Sequence, residues 1–456
     1  MRPNPGGKLR ILLIMPDGRI HKLKAGPFHR SFREAPLTLT TLAALAPPEL
    51  NAEFVLVDKS VGQQVPYQSY FDLVGISLLT GTANEGYEIA DKFRANGTPV
   101  VLGGIHVTLM PEEAARHADT IVTGFAEQTW PQLLNDFTKG CMKNIYSSFE
   151  ADISNMPPPR RELQKSFAYM LPNTIFITRG CRNSCDFCSV PAANFGWHTR
   201  PIGDVVAEIK GLKSKYFAIT DVHLTADREY AKELFTAMIP LKKRWGGLAS
   251  TTIADDPELL ELLRKSGCSY LLMGFESFNS RALDRMNKSF NCVQHYHDVV
   301  EKLHEKKVAI QGCFIFGFDE DDRNIFEQTV TYVNELKIDI PRYALYTPYP
   351  KTALFKRLKA ENRLLHKDWY YYDTQHVVIK PAQMTAAELD AGFKWAYKNT
   401  FTVRSSLSRA LDSGGPVPVT FIGNLAYKIY IKRLYTDNNR FPDAILKSGE
   451  HEMMFS

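Results

Sequence analysis

The stretch TIFITRGCRNSCDFCSV (174–190) is an apolar run followed at once by three cysteines. Cys181, Cys185 and Cys188 have the spacing C-x3-C-x2-C, which is too tight for a disulfide scaffold and supplies one ligand too few for a structural zinc site. Iron–sulfur cubanes usually bind four cysteines, so a cubane on three leaves one iron open for chemistry on a substrate. A zinc site completed by a distant His or Cys, or a chance grouping of three cysteines, is the alternative.

The apolar run before the cysteines is the first of six strand candidates that alternate with helical segments. DPELLELLRKSG (256–267) is the clearest helix, with Asp near its start, leucines on one face and Gly at its end. Six βα units predict a partial (β/α)6 barrel, whose functional residues lie on the loops after the strand C-termini. The candidates are TIFITR (174–179), YFAIT (216–220), LASTTI (248–253), YLLMGFE (270–276), VAIQGCFIFG (308–317) and RYALYT (342–347).

A second alternation of strands and helices precedes this barrel. Most of its strands are apolar throughout, as strands buried on both faces of a parallel sheet must be. The pattern predicts a doubly wound (Rossmann-like) α/β domain with a ligand crevice at the carboxyl ends of its strands. The strand candidates are RILLIM (10–15), AEFVLVD (52–58), LVGISLL (73–79), PVVLGG (99–104) and TIVTG (120–124).

Four regions follow from these patterns. The stretch SNMPPPRRELQK (154–165) contains consecutive prolines, which exclude a helix or a central strand and indicate a linker. Beyond about residue 365 the alternation is lost. We expect the first domain at 1–140, the linker at 141–170, the barrel at 171–350 and a mostly helical C-terminal extension at 351–456.

Composition excludes several classes of protein. The 456 residues are 44% hydrophobic and 23% charged, as in ordinary globular proteins. The 55 basic and 50 acidic residues leave a net charge of +5, too mild to indicate nucleic acid as a partner. No uninterrupted apolar run reaches the ~18 residues of a membrane span, and ILLIM is too short for a signal peptide. We therefore expect a cytoplasmic protein whose seven cysteines do not form disulfides.

The cysteine loop and the barrel pattern resemble the radical S-adenosylmethionine (radical SAM) superfamily. The resemblance implies that Cys181, Cys185 and Cys188 hold a [4Fe-4S] cluster whose fourth iron binds SAM, and that reduction yields a 5′-deoxyadenosyl radical. Phe187 would then lie near the adenine of SAM. Glu276, in GFES (274–277), matches an acidic residue of many relatives and would contact SAM, with a helix-capping surface residue as the alternative. The family's Gly-Gly-Glu element is replaced by FAITDVHLTAD (217–227), where Asp221 either binds SAM or caps the next helix.

The first domain resembles the cobalamin-binding domains of this superfamily. Methylthiotransferases carry a second cluster on three cysteines in that domain, but here residues 1–140 contain no cysteine. Four motifs carry the resemblance: PLTLTTLAAL (36–45), GISLLTG (75–81), GGIHVTLMPEEA (103–114) and TGFAEQTW (123–130). The cobalamin-binding residues that it implies are Leu37, Ser77, Leu79, Thr80, Gly103, Gly104, His106, Val107, Thr108, Gly124 and Glu127.

Two departures from the cobalamin pattern are informative. The Asp-x-His-x-x-Gly run that supplies a histidine to cobalt is absent from MPDGRIHKLKAG (15–26), so the resemblance implies cobalamin without a protein histidine ligand. Phe125 stands where relatives usually have Glu, which would alter contacts to the corrin edge. His106 follows Gly-Gly, and we expect it to form hydrogen bonds within its loop rather than bind cobalt.

The resemblance implies an enzyme that uses a [4Fe-4S] cluster, SAM and cobalamin to methylate an unactivated carbon of a small molecule. An oxidative cyclase or a ring-rearranging enzyme with the same cofactors is the alternative, and a sensor that has lost catalysis is a third hypothesis. An electron donor such as flavodoxin or ferredoxin is expected. Aromatic residues in 342–355 and 368–373 suit a sizeable apolar or planar substrate, although such clusters are more often core packing.

The C-terminal tail has two interpretations. Residues 401–442 contain six basic and two acidic residues, and a helix over FIGNLAYKIYIKRLY (421–435) would align Phe421, Leu425 and Ile429, with lysines to one side. This helix is either a cap packed on the barrel or a peripheral membrane contact. Cys268 and Cys313, within or beside apolar strands, are expected to be structural, and a catalytic Cys313 would need a lowered pKa.

Overall fold

The computed structural model describes residues 8–17, 22–25, 28–412 and 417–434. The chain forms two compact units. The first comprises Met1–Arg182 and Ser189–Gly211, and the second comprises Asn183–Cys188 and Leu212–Ser456. The cysteine loop is therefore shared, because Cys181 belongs to the first unit and Cys185 and Cys188 belong to the second.

The first unit is built on a parallel sheet of six strands in the order β4-β1-β5-β6-β7-β8. The described strands of the whole first unit, including those outside this sheet, are β1 (Arg10–Met15), β2 (Lys22–Ala25), β3 (Phe28–Glu34), β4 (Glu53–Asp58), β5 (Leu73–Ser77), β6 (Val100–Gly103), β7 (Thr120–Gly124), β8 (Ile145–Ser148), β9 (Tyr169–Leu171), β10 (Thr174–Ile175), β11 (Thr178–Gly180) and β12 (Trp197–Thr199). The chain order reverses between β1 and β5, so a ligand crevice is expected at the carboxyl ends of these two strands.

In its described residues the first unit contains seven α-helices, of which the first five connect strands of the six-stranded sheet. They are α1 (Thr38–Ala44), α2 (Ala83–Ala95), α3 (Ile105–Leu109), α4 (Pro111–Ala114), α5 (Ala126–Thr138), α6 (Ser189–Ala192) and α7 (Ile202–Gly211). Ile11, Leu13 and Leu73 are fully buried, as predicted for central parallel strands. All five predicted strands are confirmed. Sequence patterns missed β8, which extends the sheet beyond β7, and the small sheet β2-β3-β9.

The second unit contains five consecutive parallel strands, each followed by helical segments. The strands are β13 (Tyr216–Ile219), β14 (Arg244–Ala249), β15 (Cys268–Glu276), β16 (Ala309–Phe316) and β17 (Arg342–Leu345). The helices are α8 (Arg228–Met238), α9 (Pro257–Lys265), α10 (Ser280–Arg285), α11 (Tyr296–Glu305), α12 (Ile325–Glu335), α13 (Ala353–Ala360), α14 (Ala386–Thr400), α15 (Val403–Asp412) and α16 (Val417–Leu434). The predicted helix at 256–267 is confirmed as α9, whose first turn is capped by the Asp256 carboxylate, which accepts from the Leu259 amide at 3.0 Å.

Two strand predictions were wrong in detail. The strand predicted at 248–253 is instead β14, which begins at Arg244, and Thr251–Asp255 form a 3-10 helix whose start is capped by the Ser250 hydroxyl. The strand predicted at 174–179 is divided into β10 and β11. β11 pairs in antiparallel fashion with β12, and the carbonyl oxygen of Gly196 lies where a side chain on Gly180 would be.

The described C-terminal residues are mostly helical, as predicted, with α14, α15 and α16 as the last elements. α14 begins with a capping box formed by Thr385 and Glu388. Residues 435–442 of the predicted basic stretch lie outside the described residues, as do 18–21 and 26 of the stretch searched for a cobalt ligand. In the described ranges no helix is both long enough and apolar enough to cross a membrane.

Candidate active site

The β11–β12 hairpin presents the first cysteine of the motif. The Cys181 amide donates to the Gly196 carbonyl at 3.0 Å. The preceding residue, Gly180, lies so close to the same carbonyl that a side chain there would overlap it. Gly180 has a φ of +82°, which a residue with a side chain rarely adopts. The glycine before Cys181 is therefore required by the turn that starts the loop.

Asp186 anchors the other half of the cysteine loop within the second unit. Its buried carboxylate accepts hydrogen bonds from the Tyr346 hydroxyl at 2.8 and 2.9 Å. Its amide donates to the Met286 carbonyl, and its own carbonyl accepts from the Leu354 amide, both at 3.1 Å. Asp186 is thus held at three points, and Cys185 lies directly beside it in the chain.

Phe187 follows Asp186 and is half-buried. Its ring meets the ring of Tyr346 edge to face, with centroids 6.1 Å apart. The same tyrosine therefore contacts two successive residues of the loop, one through its hydroxyl and one through its ring. Fixing Phe187 in this way leaves an aromatic side chain next to the third cysteine, Cys188.

The three cysteines fit the ligand set of an iron–sulfur cluster. All seven cysteines lie in the described part of the chain, none forms a disulfide, and the three of the motif are half-buried on one anchored loop. Among the described residues no group of three His, Cys, Asp or Glu side chains is placed as the ligands of a metal ion are. Burial raises the pKa of Cys268 to about 12 and that of Cys313 to about 11, so both are neutral thiols, as expected for structural cysteines.

Glu276 ends β15 in an unusual conformation. It is buried, has a φ of +65°, follows an irregularity in the pairing of β15 with β16, and forms an ion pair with Lys288. The next helix, α10, is capped by Asn279, whose side chain accepts from the Arg281 amide at 3.0 Å. The interpretation of Glu276 as a helix-capping surface residue is therefore wrong.

Asp221 follows β13 and is also buried. The helix after it, α8, is capped by Asp227, whose carboxylate accepts from the Tyr230 amide at 3.1 Å. Asp221 is therefore not the cap of that helix. The structure brings it to the same end of the parallel strands as Glu276, where functional residues of a barrel are expected.

His223 is a residue to which sequence reasoning assigned no role. Both of its ring nitrogens are shielded from solvent, and within the described ranges neither has a hydrogen-bond partner. Burial, together with the charge of Lys288, lowers the pKa of His223 to about 4, so the imidazole is neutral at pH 7. A buried imidazole without hydrogen bonds is costly, and such groups call for an explanation that often proves functional.

The two glycines after β6 have different surroundings. A side chain on Gly104 would come within 2.7 Å of the Leu78 carbonyl oxygen, and its φ is +98°, so this glycine is required by the packing of the chain itself. A side chain on Gly103 would find its nearest atom, in Val122, at 3.7 Å, which is an ordinary van der Waals contact without a clash. Leu79, at the carboxyl end of β5, is about half exposed although it is apolar. A glycine without a clashing neighbour and an exposed apolar side chain at these strand ends fit a bulky ligand.

His106 is fully buried and hydrogen-bonded. Its ring nitrogens lie 3.3 Å from the Thr80 hydroxyl, 3.1 Å from the Tyr87 hydroxyl and 3.3 Å from the Glu113 carboxylate. As expected from the sequence, its ring is used in hydrogen bonds, although the partners come from several elements rather than from its own loop.

The other predicted cobalamin residues surround the same strand ends of the first unit. Thr108 links two of them, since its hydroxyl donates to the Gly104 carbonyl at 3.2 Å and accepts from the Gly124 amide at 2.9 Å. Val107 is fully buried and so packs within the protein. Leu37, which precedes α1, and Ser77, which ends β5, are half-buried.

Glu127, in the first turn of α5, forms an ion pair with Arg179 of β11. The Glu127 carboxylate accepts from the Arg179 guanidinium at 3.1 Å and is almost fully buried. Phe125, just before α5, packs against Phe195 and meets His198 edge to face, with centroids 4.9 and 5.3 Å away. This packing buries the aromatic ring of Phe125.

Comparison with known proteins agrees with this geometry. A model of the radical SAM superfamily matches residues 175–333, and a model of the B12 binding domain matches residues 65–134. The bacteriochlorophyllide d C-12(1)-methyltransferase of Chlorobaculum tepidum is 33% identical over 373 residues, which cover 78% of this chain and 80% of that protein. The chain belongs to the cobalamin-dependent radical SAM enzymes.

Further similarities extend over most of the chain. The bacteriochlorophyllide d C-8(2)-methyltransferase of the same organism is 28% identical over 448 residues, or 92% of this chain and 97% of that protein. The solved radical SAM methyltransferase TsrM from Kitasatospora setae, with cobalamin and a [4Fe-4S] cluster bound, gives a TM-score of 0.64 over 78% of each chain at 17% identity, a likeness of fold alone. The predicted fold class is confirmed: a doubly wound cobalamin-binding domain, then a partial radical SAM barrel and a helical extension. The family binds a [4Fe-4S] cluster, SAM and cobalamin.

Proposed function

We propose that this protein is a cytoplasmic, cobalamin-dependent radical SAM methyltransferase that methylates an unactivated carbon of a sizeable small molecule. The observation that carries the proposal is the anchored loop of Cys181, Cys185 and Cys188, in a chain 33% identical to a methyltransferase over most of its length. A sensor without catalysis would not need a cluster with an open iron, so the intact set of three cysteines supports an enzyme.

Named residues of each unit would hold the cofactors. The three cysteines would hold the cluster, with Phe187, Asp221 and Glu276 toward SAM. The predicted cobalamin residues of the first unit, from Leu37 to Glu127, would form the cobalamin site, with the fully buried His106 and Val107 supporting it from within the protein. Together the bound cofactors supply a radical that removes a hydrogen atom and a methyl group that replaces it. The chain's own contribution is to position these groups and exclude water.

A planar tetrapyrrole is the substrate class that we propose. The support is that two relatives with extensive coverage are named for methylating bacteriochlorophyllide d. Four of the eight aromatic residues that first indicated a planar substrate do not add to this, because Tyr343, Tyr346, Trp369 and Tyr372 are buried in the protein core. His223, neutral and without protein hydrogen bonds in the described ranges, is available to contact the ligand.

Two further partners belong to the proposal. One-electron reduction of the cluster needs a protein donor, and a flavodoxin or a ferredoxin has suitable chemistry. A peripheral membrane contact would bring the enzyme to an apolar substrate, because tetrapyrroles with apolar substituents partition into bilayers.

Anaerobic reconstitution with iron, sulfide, cobalamin and SAM tests the proposal. Spectra report both cofactors, and chromatography after incubation with a bacteriochlorophyllide reports the products of SAM. We expect 5′-deoxyadenosine and S-adenosylhomocysteine in equal amounts with the methylated product. 5′-Deoxyadenosine without S-adenosylhomocysteine would favour the cyclase or rearrangement alternative, and no SAM cleavage under reducing conditions would favour the sensor.

A further inference from the structure

Helices α15 and α16 each have an apolar face that remains exposed in the described part of the chain. The eight side chains on these faces are between 40% and 78% exposed, far more than apolar residues of a packed helix. Within each helix they recur mainly every four residues and so form a stripe. They are Val403, Leu407 and Leu411 on α15, and Val417, Phe421, Ile422, Leu425 and Ile429 on α16. We refer to these eight side chains as the apolar face.

The opposite side of α16 is firmly packed on the second unit. Thr420 donates to the Asp339 carboxylate at 3.1 Å, and Asn424 donates to the Asp339 carbonyl at 2.8 Å. Tyr427 accepts from the Gln311 side chain of β16 at 2.7 Å. The interpretation of this helix as a cap on the barrel is therefore confirmed for one of its sides. The orientation of α16 is fixed by these contacts, so its exposed stripe is not the result of a loosely held helix.

The sequence predicted that the lysines lie to one side of the apolar face. They lie instead on the face itself. Lys428 is seven residues after Phe421 and Lys432 is seven residues after Leu425, which places each lysine two turns along the same stripe, and both are exposed. Arg404 is exposed next to Val403 on α15. Arg409 is buried and donates to the side chains of Asn334 and Asn424, so the exposed basic residues described on these two helices are Arg404, Lys428 and Lys432.

We propose that the apolar face docks on an anionic lipid bilayer. Apolar side chains enter the headgroup region while interspersed lysines extend to lipid phosphates, the pattern of helices that lie in the membrane interface. These exposed basic residues complement an anionic surface, whereas two copies of the chain that met through this face would bring their lysines together. The proposed substrate class explains why the enzyme would visit a membrane, and to that extent the inference rests on the proposed function.

Co-sedimentation of the holoenzyme with vesicles tests the inference without requiring turnover. Vesicles of phosphatidylcholine alone are compared with vesicles containing phosphatidylglycerol. We expect binding to the anionic vesicles that falls as salt is added. Lys428→Glu/Lys432→Glu should lower the partition coefficient by more than about tenfold, since each basic residue near such a surface contributes substantially. Phe421→Ser/Leu425→Ser should lower it by a similar factor.

Lys356→Glu/Lys359→Glu on α13 is the matched control, with two exposed helical lysines and the same change of charge. It should bind like the wild type. Unchanged circular dichroism, cluster content and SAM cleavage in vesicle-free buffer show that each variant is folded. The inference is overturned if the full chain does not bind vesicles, or if all variants bind them equally. It is also overturned if the full chain is a dimer that does not bind vesicles and that Phe421→Ser/Leu425→Ser converts to a monomer. Binding without methylated product would contradict the proposed function alone.

Discussion

The buried carboxylate of Glu127 is paired with the guanidinium of Arg179 at 3.1 Å, and Arg179 lies two residues before Cys181. Within the first unit this ion pair joins helix α5, which begins beside a predicted cobalamin residue, to the hairpin that presents the first cysteine. Glu127, which is proposed to contact cobalamin, is thereby held by β11, the strand that leads into the cysteine loop proposed to hold the cluster.

Arg179→Ala should destabilise the first unit by roughly 1–3 kcal/mol, because it leaves the Glu127 carboxylate buried without its cation. Cobalamin retained after gel filtration and the thermal unfolding temperature are the two measurements. Arg160→Ala is the control, since Arg160 pairs with Glu162 at 2.9 Å in an exposed position and should contribute less than about 0.5 kcal/mol. Equal effects of the two changes would show that the Glu127 pair has no special importance.

Tyr346→Phe should leave the protein folded but loosen the cysteine loop. The ring contacts of Tyr346 with Phe187 and Phe318 remain, while the Asp186 carboxylate loses its hydroxyl donor. We expect faster loss of iron during dialysis and 5′-deoxyadenosine formation lowered by about tenfold, as for loss of one hydrogen bond to a buried charge.

Tyr372→Phe is the matched control for this change. It removes a hydroxyl that donates to the His366 carbonyl at 2.6 Å and leaves the hydrogen bonds of Asp186 intact. If both variants lose iron at the same rate, the Asp186–Tyr346 hydrogen bonds do not hold the loop.

Gly103→Val should reduce cobalamin retention without unfolding the protein. A Cβ on Gly103 meets Val122 at an ordinary contact distance of 3.7 Å and does not clash, so a loss of cobalamin reports the space that the ligand needs. Gly104→Val would not separate a loss of ligand space from a loss of folding, because its side chain clashes with the Leu78 backbone even without the ligand. Gly203→Val in α7, where a side chain would meet nothing within 4 Å, is the control. Full cobalamin content in Gly103→Val would contradict the placement of the ligand beside this glycine.

His223 should make the protein less stable as the pH falls below about 6.5. Its folded-state pKa of about 4 lies below the ordinary value of 6.5, so between these values the unfolded chain binds a proton that the folded chain does not. His223→Gln should abolish this contribution, of order 1–3 kcal/mol. The test is the difference in unfolding temperature between wild type and variant at pH 7.5 and at pH 5. A difference that does not change with pH would show that His223 titrates normally.

The sequence predicted most of the strands because central parallel strands are apolar on both faces. It missed β8, since only Tyr146 of IYSS is buried in this edge strand. It placed β14 too late because Gly246 and Gly247, which resemble a turn, lie inside the strand. A local sequence pattern identifies a strand when burial of both faces requires apolar residues throughout. It fails for a short edge strand and for a strand that contains glycines.

The cysteines of the site were predictable because three ligands within eight residues form a local pattern. The hydrogen bonds that hold that loop could not be predicted, because Tyr346 is 160 residues from Asp186 and their pairing depends on tertiary structure. His223 stood in a stretch already considered, yet its lack of hydrogen bonds among the described residues is visible only in three dimensions. Long-range partners and unsatisfied groups are properties of the fold rather than of any segment.

The central claim is that the three-cysteine loop holds the cluster that cleaves SAM, while a separate domain holds cobalamin. The most direct measurement is the iron, cobalamin and 5′-deoxyadenosine content of reconstituted Cys185→Ala, with Cys292→Ala, another half-buried cysteine, as the control. We expect Cys185→Ala to lose the cluster absorption near ~400 nm and all SAM cleavage but to retain cobalamin, and Cys292→Ala to keep all three. An intact cluster and full SAM cleavage in Cys185→Ala would contradict the account.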